Sequence, residues 1–275
     1  MSKLKIRVIS AAVGIVIVLA MIFSTSAIFH LMMAAACFIM LHELRTTFGQ
    51  GQKWQLITLS TIAAAALLVK PVLPENWQGG WMPLVLVLYL LLLLGCSVFW
   101  NDTIKFKDVC HSLFMVVYAV ILPMFLSYIR MMDAGIELVL MTFLGAWMPD
   151  TFAYFVGCNL GKHKLIPKVS PNKTVEGSIG AVLGGVITFG IYGLVLDFGF
   201  GYTVSYPAIL GLGLMCGIVA QIGDLSASVI KREYGIKDFG NLMPGHGGLV
   251  DRLDSILFIA PLTYYFLQIF EVISK

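Results

Sequence analysis

Two sets of residues in the C-terminal third have types and spacings suited to holding a hard cation. Asp224, Ser228 and Lys231 stand at i, i+4 and i+7, a stripe along one helix face, and Asp251 and Asp254 stand at i and i+3, sharing a face at the start of another. Carboxylates from two facing helix ends make an oxygen-rich site for Mg²⁺, which often takes one or two carboxylates and completes its shell with substrate phosphates. Between the two sets lies Pro244-Gly245-His246-Gly247-Gly248. Its three glycines let backbone N–H groups approach an anion closely, and the helix that follows points its positive N-terminal end towards the same place. His246 has two readings, a phosphate contact or a brace for the loop. No strand precedes this loop, and it is neither a Walker A loop nor a dinucleotide fingerprint. The opposing interpretation pairs Asp251 and Asp254 with Arg252, Lys231 or a helix N-terminus as structural links.

These polar residues sit in a chain of 275 residues that is 59% hydrophobic and only 12% charged. Apolar runs of about 20 residues exclude an ordinary soluble domain and predict transmembrane helices. One Asp, Lys or Arg at a helix centre costs about 2.5–3.5 kcal/mol on insertion scales. Four basic residues, four acidic residues and a histidine between Ser228 and Asp254 therefore require metal, substrate, counter-charge or water to offset them. A net charge of +3 is too small to indicate nucleic acid. The five cysteines lie in or beside apolar runs without CxxC or Cys/His spacing, which argues against zinc and against a disulfide framework.

The elements that must position the site are all helical. The expected fold is an all-α integral membrane protein of about nine transmembrane helices, near residues 7–23, 26–44, 54–70, 82–99, 109–129, 135–157, 175–196, 206–230 and 253–272. With the N-terminus cytoplasmic and the C-terminus external, 15 of the 18 Lys and Arg residues fall on the cytoplasmic side, and an eight- or ten-span count spoils that bias. Lys3, Lys5 and Arg7 precede an apolar run with no convincing cleavage site, so the first segment reads as a retained helix. The chain reads as a single polytopic domain, 1–275, with N-terminal helices in 1–134 and catalytic helices and cytoplasmic loops in 135–275. Its active-site cavity is expected to open to the cytoplasm. His42-Glu43 lacks HExxH spacing and reads as an interfacial polar pair.

The run Ser228-x-x-Lys231-Arg232, Lys237-Asp238, Pro244-Gly245-His246-Gly247-Gly248 and Asp251-Arg252-x-Asp254 resembles the signature of the phosphatidate cytidylyltransferases (CDP-diacylglycerol synthases). Met243 stands where a branched apolar residue is expected. Two further runs are similar to that family: Ser170-Pro171-Asn172-Lys173-Thr174-Val175-Glu176-Gly177, and Asp150-Thr151-Phe152-Ala153-Tyr154. Ser170 followed by Pro171 suits a helix start, with Thr174 as the alternative cap. The likeness is strongest from about Gly145 onwards, and the N-terminal half matches only in hydrophobic character.

The resemblance implies transfer of CMP from CTP to phosphatidate, giving CDP-diacylglycerol and pyrophosphate, in a multi-pass protein of a bacterial inner membrane. It implies Mg²⁺ on Asp224, Asp251 and Asp254, with Lys231 joining these three as a catalytic residue. Asp150, Lys173, Thr174, Ser228, Arg232, Lys237, Gly245, His246, Gly247, Gly248 and Arg252 are the expected substrate contacts. Lys162, Lys164 and Lys168 are expected to touch lipid headgroups. A second cation and a homodimer remain open, and no nucleic acid partner is expected. The competing classes are an ion-coupled membrane transporter, which also places carboxylates within its helices, and a related lipid nucleotidyltransferase or polyprenol kinase.

Overall fold

A computed structural model describes residues 3–275, with the side chains of residues 3–7, 72, 75 and 78 outside that description. The basic side chains Lys3, Lys5 and Arg7, expected to hold the N-terminus in the cytoplasm, thus lie outside the described residues. The chain divides into two compact units, Met1–Tyr128 with Asp238–Asp251, and Ile129–Lys237 with Arg252–Lys275. The glycine-rich loop therefore belongs with the N-terminal helices, 100 residues and more before it in sequence.

The first unit contains α1 (Lys3–Ile22), α2 (Ser26–Thr47), α3 (Trp54–Leu68), α4 (Glu75–Phe99), α5 (Phe106–Val116) and α6 (Leu122–Arg130, whose last two residues belong to the second unit). A π turn, Val117–Ile121, joins α5 to α6 in one continuous helix. Its cause is local. Pro123 has no N–H to donate to the preceding turn, and Leu122 donates instead to the carbonyl of Val117, five residues back. The buried side of α2 is a stripe of Phe29, Met33, Cys37, Met40, Leu41 and Leu44, each three or four residues from another member. Polar bonds tie the helix ends. At one end Gln50, after α2, and Lys53, before α3, both hold Asp108 in the first turn of α5: Gln50 Nε2 donates to its carbonyl at 2.8 Å, and Lys53 Nζ meets its carboxylate at 2.6 Å. At the other end His30, early in α2, bonds the Leu68 carbonyl at the end of α3 (2.7 Å) and Ser127 near the end of α6 (3.0 Å).

The second unit contains α7 (Gly135–Leu160), a hairpin of β1 (Lys164–Ile166) and β2 (Ser170–Thr174), α8 (Val175–Leu194) extended by a π turn to Gly199, β3 (Thr203–Val204), α9 (Tyr206–Glu233), most of α10 (Val250–Ile269) and β4 (Ile273–Ser274). The hairpin pairs Lys164 with Thr174 and Ile166 with Ser170, and β3 pairs antiparallel with β4. These four short strands are an addition to the all-α expectation. The segment from Gly161 to Thr174 is too polar and proline-rich to continue a helix, and pairing satisfies its backbone groups. Ser170 and Pro171 lie in β2, not at a helix start; the cap of α8 is Thr174, whose Oγ1 accepts from the Gly177 N–H at 3.1 Å.

In lipid, burying a leucine gains little over leaving it in acyl chains, so close packing and interhelical hydrogen bonds must hold helices together. The α7–α8–α9 layer is built that way. A Cβ at Gly217 would lie 2.7 Å from the Val182 Cα, and one at Gly180 2.7 Å from the Val156 side chain. Among the described residues six helices are long and apolar enough to cross a membrane: Ser26–Thr47, Gly79–Phe99, Phe106–Arg130, Gly135–Leu160, Val175–Gly199 and Tyr206–Glu233. Val8–Ile22 and Trp54–Leu68 are apolar but shorter, and α10 carries Asp251, Arg252 and Asp254 in its first turns.

Candidate active site

In the second unit, four elements bring charged side chains together. Asp150 comes from α7, Lys173 from β2, Asp224 from α9, and Asp254 with Ser255 from α10. Lys173 forms an ion pair with Asp224, each side chain about a quarter exposed at 23% and 28%. Ser255 Oγ lies 3.5 Å from Asp150 Oδ2, and the Ser255 N–H donates to Asp254 Oδ1 at 2.7 Å. Asp254 feels the charges of Asp224, Lys231 and Asp150, and Asp150 those of Asp224 and Lys173. The group thus holds three carboxylates against two ammonium groups.

Local sequence explains this convergence. A Cβ at Gly223 would lie 2.8 Å from the Asp254 carbonyl and 3.0 Å from the Ser255 Cα. The glycine before Asp224 therefore lets α9 and α10 approach where both carry a carboxylate. Gly157 does the same for α7, since a Cβ there would lie 3.0 Å from Thr174 Oγ1, next to Lys173. The hairpin is fixed by Glu176, whose carboxylate accepts from the N–H groups of Lys162 (3.0 Å) and His163 (3.2 Å) and bonds His163 Nδ1 at 2.6 Å. Arg232 Nε reaches the Val169 carbonyl at 3.3 Å. Ser228 is half-buried on α9, one turn beyond Asp224, while Lys237 and Arg252 are exposed.

The glycine-rich loop has its own set of partners in the first unit. Gly245 (φ 79°) and Gly247 (φ 86°) take the left-handed conformation that disfavours any Cβ, and the turn closes through Met243 N–H to Gly247 O and His246 N–H to Met243 O, both 2.9 Å. Asp251 Oδ2 accepts from the N–H groups of Phe239 (2.8 Å) and Gly248 (3.0 Å). His246 Nδ1 lies 2.8 Å from Ser10 Oγ of α1, and that hydroxyl also donates to the Pro244 carbonyl at 3.1 Å. In this arrangement that contact joins the His246 ring to α1.

The N–H groups expected to face phosphate at the start of α10 are thus occupied by carboxylates. Gly248 is held by Asp251, while Leu249 and Val250 are held by Glu43 of α2 at 2.8 and 2.9 Å. Among the described residues no three His, Cys, Asp or Glu side chains converge in an arrangement that would hold an ion by themselves.

The chain as a whole has counterparts among known proteins. The cytidylyltransferase family model matches residues 5–270. The chain belongs to the cytidylyltransferase family. The phosphatidate cytidylyltransferase of Bacillus subtilis (strain 168) is 31% identical over 277 residues, covering 98% of this chain and 100% of that protein. Those of Staphylococcus saprophyticus and Staphylococcus haemolyticus are 31% and 33% identical, each covering 94% of this chain and 97% of the relative. The likeness therefore extends through the N-terminal helices, where the sequence motifs alone reveal only hydrophobic character.

One partner of the glycine-rich loop escapes the sequence reading. Glu43, taken there for an interfacial polar residue, is 6% exposed and holds the first turn of α10. A signal was present: a glutamate almost at the end of an apolar span, with Ile39, Met40, Thr46 and Thr47 and no basic residue at the three- and four-residue spacings, needs a partner elsewhere. Arg45 itself is turned to the Ile57 carbonyl (3.0 Å) and Thr61 (2.7 Å) of α3.

Proposed function

We propose that this family member transfers CMP from CTP to phosphatidate, releasing pyrophosphate and forming CDP-diacylglycerol. One observation carries the reading: Asp150, Asp224, Asp254, Lys173 and Lys231 are gathered in one electrostatic group in a cytidylyltransferase chain. The named relatives supply the substrates, and the residues suit the chemistry.

A phosphate monoester has a second pKa near about 6, so the lipid phosphate is largely dianionic at neutral pH and needs no strong base. Its oxygen attacks the α-phosphorus of CTP, a new P–O bond forms, and the α–β bridging bond breaks with its electron pair leaving on pyrophosphate. The task of the protein is to bring two anions together and to stabilise the departing charge. Lys173 and Lys231 supply positive charge within the acidic group, and Arg232 and Lys237 are assigned to substrate phosphates. Asp251 and His246 are assigned to holding the glycine loop.

The acidic group also fits a hard cation, because its donors are all oxygens. Asp224 and Asp254 are the residues that would hold Mg²⁺, with Asp150 beside them. Such an ion neutralises phosphate charge, and two carboxylates suffice where substrate phosphates complete the shell. Nine alternating spans agree with the tied helix ends inside each unit. In the second unit the β3–β4 pair ties the start of α9 to the end of α10, at the end where Tyr202 OH meets Glu137 at the start of α7. The bacterial relatives and the apolar helices support residence in a bacterial membrane, and we assign the chain to the inner (plasma) membrane.

The test is a reconstituted assay with purified protein, phosphatidate in detergent, and each nucleoside triphosphate in turn, with and without Mg²⁺. The expected result is CDP-diacylglycerol from CTP alone, one pyrophosphate per product, and loss of turnover on chelation. Equal use of all four nucleotides, or no lipid product with any, overturns the proposal.

A further inference from the structure

We infer that Glu43 is a positioning residue for the reaction: a carboxylate from α2 that latches the glycine loop by capping the first turn of α10. The first N–H groups of a helix have no partner within it, and they attract an anion. Here Glu43 is that anion. Its two oxygens separate their work, Oε1 taking Leu249 N–H and Oε2 taking Val250 N–H, across more than 200 residues of sequence.

The cradle around the carboxylate is shaped for it. A Cβ at Gly240 would lie 2.5 Å from Glu43 Oε1, and one at Gly248 2.6 Å from both carboxyl oxygens. Two glycines thus clear the space into which the side chain fits, one on each side of the tight turn at Gly245–Gly247. Asp251 completes the arrangement from the opposite direction by holding Phe239 and Gly248. Glu43 touches no reacting group in this arrangement. It acts through the loop, fixing the start of α10 from which Asp251 and, one turn later, Asp254 project.

The inference rests on the reading that the loop and α10 serve nucleotidyl transfer, and the experiment separates the two. Wild type, Glu43→Gln and Glu43→Ala are compared in one detergent by steady-state kinetics and by peptide-level amide hydrogen exchange. A misplacement of about 1 Å in positioned groups can cost on the order of 100-fold in rate. Glu43→Ala is therefore expected to lower kcat on the order of 100-fold and Glu43→Gln, which keeps one acceptor oxygen, about tenfold, with KM for CTP changed less than about threefold. Exchange in the peptide containing Leu249 and Val250 should accelerate, with α8 and α9 unchanged.

General destabilisation would instead accelerate exchange in every helix and scale kcat with the folded fraction, and that outcome overturns the inference. Wild-type kcat in Glu43→Gln together with unchanged exchange at Leu249 and Val250 overturns it also. If wild type makes no lipid product while the exchange contrast holds, the latch stands and the proposed reaction falls.

Discussion

Asp224 in one unit and Glu43 in the other are both acidic residues near the end of a long apolar helix, and their partners differ in kind. Asp224 pairs with the side chain of Lys173, and the pair stays about a quarter exposed. Glu43 is 6% exposed and satisfied by two backbone N–H groups. A side-chain ion pair beside two further carboxyl groups can be rearranged by a phosphate or a cation, because both members sit on side chains that can turn to a new partner. A buried carboxylate that caps backbone donors cannot leave without stranding both sides. The same side-chain chemistry thus marks a place built to exchange partners and a place built to keep them.

The sharpest break between the two regions should come from Asp224→Asn. Removing one charge from the exchangeable group is expected to lower turnover by about 10²–10³-fold, the range reached when a group stabilising transition-state charge is lost. The loss of a partly exposed pair should change stability by no more than about 1 kcal/mol. Turnover and the thermal unfolding midpoint of the detergent-solubilised protein check both parts. A fall in midpoint that accounts for the lost activity would erase the distinction drawn above.

A smaller effect, with stability leading, is expected from Gly247→Ala. The residue has φ 86°, and its new Cβ would lie 2.9 Å from Asp251 Oδ2 and 3.1 Å from the Asp238 side chain. Left-handed strain at a non-glycine residue costs about 1–3 kcal/mol. The unfolding midpoint should fall accordingly, and displacement of Asp251 should lower kcat as a consequence. An unchanged midpoint would mean that this loop is as yielding as the acidic group.

Much of this contrast is legible in the sequence, and the missing part has a physical origin. Asp150, Lys173, Asp224 and Asp254 are identified from family-like runs and helical spacing, because charge in an apolar chain is conspicuous. The helices follow from apolar runs, so each expected span meets a helix, although among the described residues six segments are long and apolar enough to cross a membrane, and α1, α3 and the charged-ended α10 are not among them. The partners of carboxylates are another matter. Asp251 and Asp254 share a helix face by spacing, yet Asp251 turns back to Phe239 and Gly248, since unsatisfied N–H groups at a helix start compete for the nearest anion. Glu43 reaches Leu249 and Val250 through a long-range contact that no local pattern encodes. The hairpin at Lys164–Thr174 is equally hidden, because three- and five-residue strands carry almost no periodicity.

The smallest effect concerns Thr174, the residue on which the two kinds of site meet. Sequence likeness assigns it to nucleotide binding, and the fold uses its Oγ1 to cap α8 through Gly177 N–H at 3.1 Å. It is buried at 8% exposure, directly after Lys173. Loss of such a cap costs typically about 1 kcal/mol. Thr174→Ala should therefore lower the unfolding midpoint slightly, Thr174→Ser should restore it, and KM for CTP should stay within about twofold of wild type in both, since cap substitutions act on the helix end alone. Lys173→Met should do the reverse, raising KM for CTP while leaving the midpoint nearly unchanged. If Thr174→Ala raises KM as Lys173→Met does, the hydroxyl serves the nucleotide as well as the helix, and the capping contact is one that substrate replaces.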